Sequence, residues 1–262
     1  MCIRDRVMHD YQAPADLLKD RIVMVTGAGS GIGRATAVLL AAEGARVAAA
    51  DCNLEAVESV AAEITAAGGK ALACQLDVCD DSQVRSVVEQ TVEAYGALDI
   101  LVNCAGIALP AAFGDEEAWE RTLDVNLKGS MRTIRAALPQ LRASDAGRVV
   151  NIASTDAQVA TPMMSAYTVS KHGVVGLTRA LAVELADSGV TVNAVMPGPI
   201  NTNMTAAIGE DDRRRFARRR VALRRYGEPV EVAQAILNLV LPASSYTQGA
   251  CLRVDGGMLT VA

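Results

Sequence analysis

Tyr167 and Lys171, a tyrosine with a lysine four residues on, form the sharpest chemical pairing in this chain of 262 residues. Tyrosine ionises at about pH 10, so alone it is a poor base at neutral pH. On a helix the two side chains share one face. The lysine charge then favours the phenolate and lowers its pKa. Taken alone, Y-x-x-x-K recurs by chance, and its meaning depends on company. Ser154 stands thirteen residues earlier, at the end of an apolar run, and offers a hydroxyl to a substrate oxygen. Asn126 falls inside a helical pattern, where asparagine is mildly unfavourable, so either it is exposed or it has a task.

A second constellation lies near the start. Thr26-Gly27-Ala28-Gly29-Ser30-Gly31-Ile32-Gly33 joins an apolar run to a helical pattern. Glycines let backbone approach a pyrophosphate closely, and a helix N-terminus offers free N–H groups and a positive dipole end. Eighteen residues beyond Gly33 stands Asp51. A carboxylate there accepts both ribose hydroxyls of a dinucleotide and repels a 2′-phosphate, which favours NAD over NADP. Arg34 and Arg46 are the nearest cations, and neither is placed to rescue a 2′-phosphate.

The elements that must position these groups follow from periodicity. Short β-branched runs at 22–26, 46–50, 71–76, 98–102, 148–153, 190–195 and 250–254 read as buried strands. Between them, 32–43, 54–67, 80–95, 119–141, 164–186, 204–220 and 229–241 read as helices, the fourth bent near Pro139. Strands alternating with helices give right-handed βαβ units and one parallel sheet covered on both faces. The expected architecture is α/β, a single-domain, Rossmann-like, doubly wound parallel sheet of about seven strands. It occupies 19–262, after an extension at 1–18, with a lid at about 203–227 at the carboxyl edge of the sheet, where such folds bind ligands. Met1–Arg6, MCIRDR, back-translates to a stretch resembling a sequencing adapter and is set aside as an artefact, the alternative being a genuine disordered terminus.

Composition narrows the classes. A chain that is 51% hydrophobic and 21% charged folds, and its net charge of −5 argues against nucleic acid. No secretory signal and no uncharged apolar run of about 18 residues appear, so the expected compartment is the cytoplasm, with no membrane contact. Six scattered cysteines read as free thiols. The two histidines, His9 and His172, leave almost no room for a histidine metal site or a Ser-His-Asp triad, and no metal is expected. Eight of the thirteen residues from Arg213 to Arg225 are arginine. Such charge runs are usually solvated faces, and the sharper reading is that one or two bind an anionic substrate group.

These motifs resemble the short-chain dehydrogenase/reductase family, in its variety of about 250 residues. The resemblance runs from Lys19 onward through the glycine loop, Leu76-Asp77-Val78, Asn103-Cys104-Ala105-Gly106, Asn126, Asn151-Ile152-Ala153-Ser154, Tyr167-x-x-x-Lys171, Pro197-Gly198-Pro199-Ile200-Asn201-Thr202 and Val254-Asp255-Gly256-Gly257. It implies that Tyr167 is the general acid/base and that Ser154 polarises the reacting oxygen. Lys171 would bind the nicotinamide ribose, and Asn126 would hold a relay water. It further implies cofactor contacts at Gly27, Ser30, Gly31, Ile32, Gly33, Asp51, Asp77, Val78, Asn103, Ala105, Gly106, Pro197, Gly198, Ile200 and Thr202. Cys104 and Ala153 depart from the family pattern, which usually has Asn and often Ser there.

The substrate pocket would draw on Ile107, Leu109, Pro110, Thr155, Asp156, Gln158, Met163, Met164 and Met204. The implied activity is hydride transfer between NAD and a secondary alcohol or ketone, a small-molecule substrate. The alternatives are a 3-oxoacyl thioester reductase and a dinucleotide sensor without turnover. Apolar faces on the helices at 119–141 and 164–186 suit subunit packing, and the resemblance implies a homo-oligomer, tetramer or dimer. Tyr167→Phe is expected to lower turnover at least about a hundredfold, the low end of acid/base contributions. Steady-state kinetics showing near-wild-type turnover would remove Tyr167 from the chemistry.

Overall fold

A computed structural model describes residues 16–261, and the 1–6 segment read as an adapter remnant lies outside the described residues. The first half runs β1 (Ile22–Thr26), α1 (Gly31–Ala42), β2 (Arg46–Asp51), α2 (Leu54–Ala66), β3 (Lys70–Gln75), α3 (Asp81–Tyr95) and β4 (Ile100–Asn103). The second half runs α4 (Glu116–Leu123), α5 (Gly129–Ala143), β5 (Arg148–Ile152), α6 (Ser165–Glu184), β6 (Thr191–Pro197), α7 (Glu210–Arg220), α8 (Pro229–Val240) and β7 (Cys251–Val254). The seven strands pair in parallel in the order β3-β2-β1-β4-β5-β6-β7. This is the doubly wound sheet expected. Its strand order reverses between β1 and β4, and a cleft at the carboxyl ends belongs there.

Successive side chains of a strand point to opposite faces, so a sheet buried on both sides needs apolar residues at every position. In β1, Val23 and Val25 pack with Leu40 of α1, Val60 of α2 and Ile236 of α8. Ile22 and Met24 face the other way, into Val87 of α3, Ile134 of α5 and Ala182 of α6. That alternation explains why the strands read as continuous apolar runs. Among the described residues no helix is long and apolar enough to cross a membrane.

Two helices differ from expectation. The stretch expected as one helix bent near Pro139 is divided instead at Asp124–Lys128, a π-helical turn in which the Gly129 N–H bonds to the Asp124 carbonyl. Pro139 sits inside α5 without ending it, four residues before the helix closes. The lid helix begins at Glu210 rather than near Met204, because Gly209 caps it and a short 3₁₀ turn occupies Asn203–Thr205. Acidic residues at 210–212 in its first turn and arginines at 218–220 in its last complement the helix dipole.

A chain of buried amides and hydroxyls crosses the sheet beneath the cleft. Thr133 of α5 donates to Asn103 Oδ1 at 2.7 Å, Asn103 Nδ2 donates to Asn151 Oδ1 at 2.9 Å, and Asn151 Nδ2 donates to Thr178 of α6 at 3.0 Å. All four residues are at most 3% exposed. Buried polar atoms left without partners each cost about 1–3 kcal/mol. Asn151→Ala strands groups on both neighbours, so denaturant unfolding is expected to show a loss of about 2–4 kcal/mol. A loss below about 0.5 kcal/mol, the range of ordinary surface changes, would show the chain to be dispensable.

Candidate active site

The glycine loop exists because backbone meets backbone there. Gly27 has φ +66°, and a Cβ on it would lie 2.8 Å from the Ala105 nitrogen at the end of β4. A Cβ on Gly33 would lie 2.0 Å from the Gly27 carbonyl oxygen. Side chains are therefore excluded, and the first turn of α1 is left open to a ligand. Asp51, at the end of β2, accepts from the Gly29 N–H at 2.9 Å on one oxygen and from the Asn53 N–H at 3.0 Å and the Cys52 thiol at 3.5 Å on the other. The carboxylate is thus fixed against the loop while the oxygen bound to Gly29 keeps further acceptor capacity. The two nearby arginines are engaged elsewhere, Arg34 with Glu63 at 2.6 Å and Arg46 with Asp20 at 2.8 Å.

The second half of the site is held by α6. Lys171 Nζ donates to the Ile152 carbonyl, the last residue of β5, at 2.8 Å. That bond seats the helix on the strand whose continuation carries Ser154. The ammonium lies 5.6 Å from the centre of the Tyr167 ring. Ser154 caps a short 3₁₀ turn, its Oγ accepting from the Asp156 N–H at 3.1 Å.

Burial pushes the Tyr167 phenol up to about 12; the Ser154 hydroxyl draws it down and the Asp156 charge raises it further. Burial likewise draws the Lys171 ammonium down to about 8. The expectation that Lys171 would depress the tyrosine is therefore not met in this structure. Desolvation of the phenolate is the largest influence on the tyrosine, and the Lys171 charge is not among the others.

These groups border one cleft of about 560 Å³. Its walls include Gly27, Ser30, Gly31, Ile32, Gly33, Asp51, Asp77, Val78, Ala105, Gly106, Ser154, Tyr167, Lys171, Pro197, Gly198, Ile200 and Thr202, all anticipated from sequence. Two anticipated residues stand outside it. Asn103 is a rung of the buried polar chain rather than a wall residue. Asn126, in the π-helical turn, accepts from the Ile107 N–H at 2.8 Å and donates to the Ile107 carbonyl at 2.9 Å and to Ser170 Oγ at 3.0 Å. Ser170 in turn donates to the Tyr167 carbonyl at 2.7 Å. The Asn126 side chain is a brace between the loop after β4 and the helix of Tyr167.

Of the substrate-pocket residues, Ile107, Leu109 and Met204 line the cleft, whereas Pro110, Thr155, Asp156, Gln158, Met163 and Met164 do not. Arg121 of α4 lines it and was not anticipated; an arginine on an amphipathic helix carries no sequence signal. Cys104 also borders it, and burial pushes its thiol up to about 12, so it stays protonated and unreactive. None of the eight arginines from Arg213 to Arg225 borders the cleft. Arg214 pairs with Glu210 at 2.5 Å, Arg215 with Asp212 at 3.1 Å and Arg225 with Glu231 at 2.6 Å, as expected of a solvated face.

A glycine-cradled cleft at the switch point, with tyrosine, lysine and serine converging on it, defines a dinucleotide-dependent oxidoreductase. Comparison with known proteins agrees: a family model described as enoyl-(acyl carrier protein) reductase matches residues 27–259. The chain is 40% identical over 244 residues to a 3-oxoacyl-[acyl-carrier-protein] reductase of Thermotoga maritima, covering 92% of this chain and 99% of that one. It is 38% identical over 240 residues to a cyclohexanol dehydrogenase of an Acinetobacter species, covering 90% and 94%. A crystal structure of a dehydrogenase/reductase from Sinorhizobium meliloti superposes with TM-score 0.87 at 38% identity, covering 93% of this chain and 97% of that one. The chain belongs to the short-chain dehydrogenase/reductase family.

The depressed lysine makes stability depend on pH. An unfolded chain holds that proton to about 10.5 and the folded one to about 8. Between those values the unfolded state binds more protons, so the Lys171 contribution to stability rises with pH. In thermal melts of the free protein from about pH 7.5 to about pH 10, wild type is expected to gain on Lys171→Met. A constant difference between the two would place the lysine at its ordinary pKa.

Proposed function

We propose that the protein transfers a hydride between NAD and a secondary alcohol or ketone, with Tyr167 as general acid/base. The observation that carries the cofactor choice is Asp51, fixed against the glycine loop with Arg34 and Arg46 paired elsewhere. A 2′-phosphate beside that carboxylate would meet repulsion without a compensating cation on the flanking elements. The N–H groups of 27–33 would hold the diphosphate, Asp51 the adenosine ribose, and Asp77 with Val78 the adenine. Ala105, Gly106, Pro197, Gly198, Ile200 and Thr202 would flank the nicotinamide end, and Lys171 its ribose. When bound, the nicotinamide supplies or accepts the hydride.

Ser154 would hold the reacting oxygen while Tyr167 gives or takes its proton. A phenol pushed up to about 12 is protonated at neutral pH and suited to donating to a ketone. Alcohol oxidation needs the phenolate, which positive charge near the ring favours. Asn126 would act through its brace on Ile107 and Ser170, setting where the tyrosine sits. Exposed Met131 on α5 and Val169 and Val183 on α6 suit a homo-oligomer.

A second reading, reduction of a 3-oxoacyl thioester, is favoured by the identity to the Thermotoga reductase. The position of the arginines outside the cleft offers it no added support. The deciding assay follows nicotinamide absorbance with cyclohexanol, simple ketones and 3-oxoacyl thioesters, using NAD(H) and NADP(H) in parallel. NAD is expected to exceed NADP at least about tenfold in kcat/KM, and Asp51→Ser to narrow that gap at least about tenfold, since juxtaposed like charges cost several kcal/mol. Preference for NADP by the wild type would overturn the assignment of Asp51, and turnover confined to thioesters would favour the second reading.

A further inference from the structure

The arginine-rich segment stands outside the cleft but is anchored to its wall. The chain leaves that wall at Ile200 and returns beside it at Gly227, where the two residues form a parallel bridge. The Asn201 N–H bonds to the Gly227 carbonyl and the Gly227 N–H to the Pro199 carbonyl, both at 2.9 Å. Thr202, Asn203, Met204 and Thr205, at the start of this excursion, line the cleft. α7 begins at Glu210, a few residues further on, and is about 16 Å long. Beyond its far end Val221 is buried and the Leu223 N–H bonds to the Gly256 carbonyl at 3.0 Å, after β7. The arginines are therefore held beside the mouth of the cleft from both sides.

Residues 210–225 hold eight arginines and three acids, a surplus of five positive charges. The whole chain has net charge −5, so everything outside this segment carries −10. Arg213, Arg218, Arg219, Arg220 and Arg224 form no ion pair among the described residues. The last four of these are exposed. Arg215 and Arg219 stand four apart on the helix, a spacing at which like charges destabilise it. One or two cations in the last turn would satisfy the helix dipole, so the cluster exceeds what the helix itself requires. At about 100° per residue the arginines of α7 spread round the helix instead of forming one stripe. Such a scatter suits no shape-matched ligand, but it makes a field, which acts without contact.

The anion that enters the adjoining cleft is the diphosphate of a dinucleotide. The cleft offers it no net attraction, since the charged residues on its walls are Asp51 and Asp77 against Arg121 and Lys171. The acidic body beyond repels it. We propose that the arginine-rich lid steers the anionic dinucleotide into the cleft, acting on the association rate and not on the bound complex. This rests on the dinucleotide-binding reading above, but not on the choice between NAD and NADP or on an alcohol substrate. The field reaches across the mouth at low salt, where the Debye length is about 30 Å at 0.01 M, and is cut off within about 3 Å at 1 M. Charges at the rim of a site change association and its salt dependence, whereas buried contacts change dissociation.

The test is stopped-flow binding of NADH to the full chain, followed by nicotinamide fluorescence, at ionic strengths from about 0.01 M to about 1 M. The wild-type association rate constant is expected to fall at least about tenfold over that range, the lower end of steering effects. Arg218→Gln, Arg219→Gln and Arg220→Gln together are expected to slow association about three- to tenfold at low salt and to converge with wild type at high salt. Their dissociation rate is expected to stay within about twofold of wild type. Arg218→Lys, Arg219→Lys and Arg220→Lys together keep the charge and are expected to keep the wild-type association rate. Arg219→Glu alone, expected to slow association at least about twofold at low salt, decides if the glutamine variant does not fold. A wild-type rate indifferent to salt, unchanged association in the glutamine variant, a loss carried by dissociation alone, or an equal loss in the lysine variant would each overturn the steering role while leaving dinucleotide binding intact. No binding of NADH or NADPH would overturn the cofactor reading and this inference with it.

Discussion

The polar chain from Thr133 through Asn103 and Asn151 to Thr178 is the interaction on which the site depends most. Its three hydrogen bonds, of 2.7 to 3.0 Å, tie helix to strand, strand to strand and strand to helix. Apolar packing brings α5 and α6 to the sheet but tolerates sliding, since dispersion and burial are not directional. Amides and hydroxyls buried together accept few arrangements, because any slip leaves a donor or acceptor unpaired. The chain therefore sets where α6 sits along β5, and with it where Tyr167 and Lys171 meet Ser154. The Lys171 bond to the Ile152 carbonyl and the Asn126 brace refine that placement closer to the chemistry.

The two halves of the cleft use different physics. On the cofactor side, side chains are removed so that backbone can do the binding, and Asp51 is the discriminating charge. On the substrate side, titratable groups are buried at a cost visible in both directions, a phenol pushed up to about 12 and an ammonium drawn down to about 8. Groups so perturbed are poised to respond to a neighbouring charge, which is the usual condition of catalytic acids and bases.

Much of this was legible before any coordinates. β1 is a run of five apolar or β-branched residues before a glycine cluster, and it forms at the bounds read from sequence. The glycine loop, Asp51 and the Tyr167–Lys171 pair announce themselves by residue type and spacing. What stayed hidden depends on contacts distant in sequence. Asn126 carries no mark of its partner Ile107, nineteen residues away, and Asn103 resembles any polar residue at a strand end. The π-helical turn is made of Asp-Val-Asn-Leu-Lys, residues that sit equally well in an α-helix. The lid helix starts later than 204 because Gly209 and the acids after it supply the start signal, while Asn203–Thr205 forms a separate 3₁₀ turn.

That π-helical turn has a consequence for how this chain tolerates change. An α-helix advances about 100° per residue, and a π turn holds one residue more than an α turn. The α4 side chains, Arg121 at the cleft among them, are therefore set out of phase with those of α5. Removing one residue between 124 and 128 would allow unbroken α-helical hydrogen bonding and would rotate one helix against the other. Helix propensity would improve while Asn126 lost its aim at Ile107. At this point the site is specified by a count of residues rather than by their chemistry, and single-residue deletions here are more damaging than substitutions.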